Sequence, residues 1–178
     1  GGTVAGAVKH AEAGEKTGES GQAGTWKNAF VQMPYLLNVL VSLGVIADTF
    51  ETACPWDRFD DLHAALVKNV RGAMKAVAGS PCHLSCRFTH VYPDGPAPYY
   101  TFIAKARPGA EVEQWAAIKQ AASETLMAHG ATITHHHAVG RTHRPWYREQ
   151  RPAPMGDALR ALKGALDPAG ILNPGVLL

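Results

Sequence analysis

The stretch Cys82-His-Leu-Ser-Cys-Arg-Phe-Thr-His-Val-Tyr-Pro-Asp-Gly-Pro-Ala-Pro-Tyr-Tyr-Thr-Phe-Ile-Ala-Lys105 decides the fold. Its first part alternates, with Cys82, Leu84, Cys86, Phe88, His90 and Tyr92 on one side and His83, Ser85, Arg87, Thr89 and Val91 on the other. That two-residue period belongs to a strand with one covered face. Pro93-Asp94-Gly95-Pro96 supplies turn residues, and Tyr99 to Lys105 is aromatic and β-branched enough to be the returning strand. A β-hairpin is therefore predicted. Tyr99 and Tyr100 are neighbours on extended chain, so they fall on opposite faces and at least one meets something other than the core.

Helical patterns flank the hairpin. Upstream, Phe59, Leu62, Leu66, Val70, Ala73 and Val77 form one apolar stripe over 56–77, with Pro55 at the entry and Asp57, Asp60 and Asp61 in the positive first turn. Downstream, Val112, Trp115, Ile118, Ala122 and Leu126 mark a helix over 111–129, capped by Gly130. A β-branched run over 45–53 reads as a strand before the first helix, and Ala131 to Thr134 as one after the second. The order β-α-β-β-α-β is a ferredoxin-like α+β pattern, an antiparallel sheet with helices on one face, in which the fourth strand lies beside the first.

Outside this unit, Leu36, Leu37, Leu40 and Leu43 predict a helix from Pro34 to the stop at Gly44. Residues 1–25 read as a flexible arm or the truncated start of a domain, with only a weak Val4/Val8 pair. Met155, Leu159, Leu162 and Leu166 mark a closing helix that ends at Asp167-Pro168 before an apolar tail. The expected organisation is an arm over 1–25, an α+β domain over 26–143 and a helical segment over 144–178.

Composition narrows the function. In 178 residues, Lys+Arg number 17 against Asp+Glu 15, and the basic residues form no run, which argues against a nucleic-acid surface. No apolar run approaches the roughly 18 residues of a membrane span. Cys54, Cys82 and Cys86 are odd in number and match no zinc spacing, so they read as reduced thiols in a cytoplasmic compartment. The chain opens on Gly1-Gly2-Thr3 with no signal-like start, as a processed product or a piece of something larger.

The chemistry concentrates at His135-His136-His137, delivered by the short β-prone lead and released by Gly140. Imidazoles donate, accept or ligate near neutral pH, so the run suits proton handling or contact with a polar ligand. His143 and Arg144 follow closely, Arg87 and His90 sit on the hairpin, and with Tyr99 these groups suffice for proton abstraction beside an anion. Zinc would require His135, His137 and His143 to converge, with no Cys or Glu at ligand spacing beside them, and no metal is expected. No Gly-rich phosphate loop, Ser-His-Asp pattern or acidic pair completes an active site within the chain.

His135-His-His-Ala-Val-Gly140, Ser85-Cys-Arg-Phe-Thr-His-Val-Tyr-Pro-Asp-Gly95, Thr49-Phe-Glu-Thr-Ala53 with Trp56, and Leu166-Asp-Pro-Ala-Gly-Ile-Leu-Asn-Pro-Gly175 resemble the C-terminal part of FAD-linked oxidases of the vanillyl-alcohol oxidase superfamily. Within it they are most similar to the alkylglycerone-phosphate (alkyl-dihydroxyacetonephosphate) synthases of ether-lipid synthesis. The resemblance runs from about Trp26 onward. It implies the substrate-cap half of a flavoenzyme, with FAD as cofactor, a separate N-terminal FAD-binding domain as missing partner, a small-molecule substrate and a homodimer. It implies that Tyr99 exchanges a proton with substrate and that His135, His136 and His137 serve catalysis near the flavin. His136, His137 and Asn173 would border the ring, while Arg87, His90 and Arg144 would meet substrate. The implied reaction exchanges an acyl for an alkyl group without net redox.

One position departs from the resemblance. Where the synthases carry an Arg for the substrate phosphate, Tyr35-Leu36-Leu37-Asn38 offers Leu37 and no charge. An oxidase or dehydrogenase of a 2-hydroxy acid is thus a second expectation. A free-standing His-rich module binding a metal or small ligand is a third, and an inert fragment a fourth.

Overall fold

The computed structural model describes residues 21–79 and 81–178. The first twenty residues of the expected arm, with Val4 and Val8, lie outside the described residues, as does Ser80. The backbone divides into two compact units, Gly1–Val39 and Leu40–Leu178. Most of α1 (Gly21–Ser42) belongs to the first. This helix begins thirteen residues before the expected start at Pro34, because residues 21–33 hold helix formers without the apolar period that would have marked them. Gly44 ends it in the left-handed region at φ 76°, as a glycine does most easily.

The second unit holds β1 (Val45–Glu51), α2 (Trp56–Ala78), β2 (Cys82–Val91), β3 (Pro96–Lys105), α3 (Glu111–Ala128), α4 (Arg144–Gln150) and α5 (Ala153–Leu166). The three strands form one antiparallel sheet in the order β1-β3-β2. Leu62, Leu66, Val70 and Met74 of α2 and Ile118, Ala122 and Leu126 of α3 pack on Ile46, Phe50, Leu84, Tyr100, Phe102 and Ala104. Each large side chain so buried contributes about 1.5–3 kcal/mol. Gln114 ties the layers together: its Oε1 accepts from the Arg107 amide at 2.7 Å, and its Nε2 donates to the Val77 carbonyl at 2.8 Å.

The predicted α+β fold with an antiparallel sheet and flanking helices is present, but the expected fourth strand is not. Ala131 to Thr134 forms no strand, although it lies just past the end of β1. The Thr132 amide makes a single backbone bond across, to the Ala53 carbonyl at 3.2 Å, and the amides of Ile133 and the three histidines go to side chains. Ile133 donates to Gln150 Oε1 at 3.0 Å, and His135, His136 and His137 all donate to the Glu51 carboxylate. Thr132 holds the segment to β1 through Thr52 Oγ1, which donates to the Thr132 carbonyl at 2.5 Å, and through the Ala53 amide, which donates to Thr132 Oγ1 at 2.9 Å. The helix α4 was not anticipated; Pro145 at its start fits a first turn that needs no donor there.

The hairpin register also corrects an expected face. Cross-strand partners share a side of the sheet, and Arg87 faces Tyr99, which faces Glu51. Strict alternation put His90 with Cys86 and Phe88. A register shift between Phe88 and His90 leaves Thr89 unpaired and sets His90 opposite Ala97, on the side of Tyr99 and Arg87. A bulge re-aims the residues beyond it, here one imidazole.

Candidate active site

The sheet face turned away from the α2–β3 core carries one polar row across all three strands: Glu51 on β1, Tyr99 on β3 and Arg87 on β2. The histidine run lies along it. The Tyr99 ring stacks at 6.0 Å on His136 with an interplanar angle of 23°, and meets His137 edge-on at 5.1 Å. The Arg87 guanidinium sits 4.6 Å from the Tyr99 ring centre, within cation–π range. His90 lies 5.2 Å from His135 and 5.7 Å from His136, ring to ring. Tyr99, the three consecutive histidines, Arg87 and His90 thus form one cluster.

Glu51 organises this cluster, and the sequence reading had passed over it. Only 2% exposed, its Oε1 accepts from Thr134 Oγ1 at 2.6 Å and from the amides of His135, His136 and His137 at 2.8, 2.9 and 2.9 Å. Oε2 accepts from the His135 amide at 2.9 Å. Burial by itself would raise this carboxyl, but the Thr134 hydroxyl and the three amides outweigh it and hold the group below its ordinary value. The β-branched run holds two carboxylates, Asp48 and Glu51, and nothing local sets Glu51 apart.

A second buried ion lies below Tyr99. The Tyr99 hydroxyl donates to Thr49 Oγ1 at 3.1 Å, and the Thr49 carbonyl accepts from Lys119 Nζ at 2.6 Å. Lys119 is 7% exposed and lies 3.4 Å from Asp48 Oδ2, which also accepts from Trp115 Nε1 at 2.7 Å. Burial, then the neighbouring His136 and Lys119, lower the basicity of His137, against the opposing pull of Glu51 and Asp48. Tyr100 turns the other way, as expected of adjacent tyrosines. It stacks on Phe50 at 4.8 Å, and burial first, then Cys86, push its phenol up.

Two expected contributors lie elsewhere. Arg144 Nη1 donates to the Gly175 carbonyl at 2.7 Å and the Leu178 carbonyl at 3.3 Å, so it holds the C-terminal tail. Asn173 is exposed in that tail at φ 46°. His143 is buried, with Nδ1 3.0 Å from the Ala138 carbonyl, inside the turn that follows the histidines. Among the described residues, the set whose ligand atoms lie within 4.8 Å of one another is His90, His135 and His136, not the His135, His137 and His143 that zinc would have required. No described helix is long and apolar enough to cross a membrane.

The family of FAD linked oxidases, C-terminal domain, matches residues 3–177. Among characterised proteins, an alkyldihydroxyacetonephosphate synthase of Caenorhabditis elegans is 35% identical over 167 residues, covering 90% of this chain and 27% of the relative. One of Trypanosoma brucei brucei is 32% identical over 155 residues, covering 86% and 25%. The solved structure of an alkyldihydroxyacetonephosphate synthase superposes with a TM-score of 0.58 at 21% identity, covering 84% of this chain and 24% of that one, which supports the fold. The chain spans about a quarter of the length of these relatives. With nearly every residue matched, this chain belongs to the FAD-linked oxidase C-terminal domain family.

Proposed function

We propose that the chain is the substrate-facing cap of an FAD-dependent enzyme of the alkyldihydroxyacetonephosphate synthase type. The observation that carries this is the clustering of Tyr99 with His136 and His137 on the face away from the core, over a buried carboxylate. The donor set fits the ring end of a flavin, with imidazoles, a phenol and a guanidinium on one side of a sheet. Its phosphate end would be held by an N-terminal domain, and the quarter-length match to the relatives supports that partner. When bound, the flavin supplies the electron-accepting ring. On this reading Tyr99 exchanges a proton with substrate, His135, His136 and His137 take up and orient it, and Arg87 and His90 attract an anionic head group.

Leu37 favours a second reading. Without the expected cation, a 2-hydroxy acid becomes a competing substrate, its carboxylate meeting Arg87. Three unpaired thiols support a reducing compartment such as the cytoplasm. A homodimer belongs to the same proposal and is checked by the mass of the full-length protein in solution.

The test is expression of the full-length protein, with flavin absorbance and product followed under acyl-dihydroxyacetone phosphate plus a long-chain alcohol, and under a panel of 2-hydroxy acids. Alkyl product without lasting bleaching supports the synthase reading. Bleaching by a hydroxy acid alone supports the second, and a protein that binds no flavin contradicts both.

A further inference from the structure

Within the proposed function, and resting on it, one residue gains a role of its own. We infer that Glu51 is the positioning residue of the site: it fixes the backbone of the histidine run and keeps the hydrogen of His136 on Nδ1, the ring nitrogen nearer the carboxylate, leaving Nε2 as the proton acceptor.

Oxygen by oxygen, the carboxylate leaves little choice. Oε1 already accepts four donors, from Thr134, His135, His136 and His137. Oε2 accepts the His135 amide and keeps capacity on its other side, where His136 Nδ1 stands at 3.3 Å and His135 Nδ1 at 3.8 Å. The negative charge favours a hydrogen on the nearer nitrogen, His136 Nδ1, whose hydrogen-bond partner is His135 Nδ1. His135 Nδ1 lies 3.3 Å from His136 Nδ1, and two N–H groups cannot face each other there. His135 is therefore protonated at Nε2, which stands 3.2 Å from the Tyr92 hydroxyl as a partner for that hydrogen. One buried anion thus sets two tautomers.

His136 is then the ring of the three placed to work. Its side chain is 39% exposed and it stacks on Tyr99, whereas His137 is half-buried, and that burial discourages its charging. A proton released by substrate moves to His136 Nε2, and the imidazolium so formed is balanced by Glu51 behind it. Glu51 touches no substrate. It acts through the histidine.

A double-mutant cycle in the full-length flavoprotein separates this from simple scaffolding. Glu51→Gln keeps an acceptor for the amides but presents an N–H where Oε2 stood, which reverses the His136 tautomer. It is expected to keep its flavin and a KM within about twofold, while kcat falls about 100-fold or more. Added to His136→Gln, it should cost no more than about threefold further in kcat. A Glu51→Gln enzyme with wild-type kcat, or losses that multiply in the double variant, overturns the inference. Should Glu51→Gln lose its flavin, the same cycle is run with Thr134→Val, which removes one donor and leaves the carboxylate; multiplying losses again overturn it. Wild-type protein inactive on both substrate classes is a different outcome, and sinks the proposed function itself.

Discussion

A single carboxylate does more than any other residue to shape this molecule's polar face, and its ionisation has a consequence for stability. Glu51 is held below its ordinary 4.5, so its stabilisation is complete above that value and is lost as pH falls through the lower folded-state value. His137 is held below its ordinary 6.5, so the unfolded chain takes up a proton first and the fold weakens as pH drops below 6.5. Both effects act in one direction. The urea midpoint should fall on going from pH 7 to pH 3, and Glu51→Gln should flatten the decline below 4.5 while the part near pH 6 persists and steepens, because the pull of Glu51 on His137 is gone. A midpoint that rises on acidification would contradict both assignments. At this scale the histidines and Tyr99 were legible because three adjacent imidazoles are hard to explain as packing. Glu51 was not, because a carboxylate on a strand reads as solvated until its partners are known to be backbone amides far along the chain.

Among the elements, the hairpin turn is the tightest piece of construction. A Cβ at Gly95 would stand 2.0 Å from the Cys54 carbonyl oxygen, and the turn is pinned there by the Trp56 amide donating to the Asp94 carbonyl at 3.2 Å and the Trp56 indole donating to the Tyr92 carbonyl at 3.0 Å. Backbone cannot yield as a flexible side chain can. Gly95→Ala should therefore destabilise by about 1–3 kcal/mol, read as a lower urea midpoint with unchanged slope. A loss under about 0.5 kcal/mol would show that the turn relaxes freely. Alternation and stripe revealed β1, α2, β2, β3 and α3 within a few residues, since each has a face to bury. The lead to the histidines looked like a strand by composition, and there long-range side-chain hydrogen bonds decided instead. Likewise no local pattern signals the bulge at Thr89 that turns His90 toward the cluster.

At the scale of the whole molecule, the proposed function makes the open polar row one wall of a site, facing the flavin. The helices α2 and α3 cover one side of the sheet, while the side with Arg87, Tyr99 and the histidines carries chemistry instead of core. The resemblance supplied the expectation of a flavin and of a partner domain, which no periodicity or composition in 178 residues expresses. On the proposed function, the Tyr99 phenol and the imidazoles act together on a substrate held against the flavin. The most direct test is turnover of Tyr99→Phe in the full-length enzyme, with flavin content measured on the same sample. Full flavin and a kcat lowered about 100-fold or more are expected; full flavin with wild-type turnover would overturn the role of Tyr99.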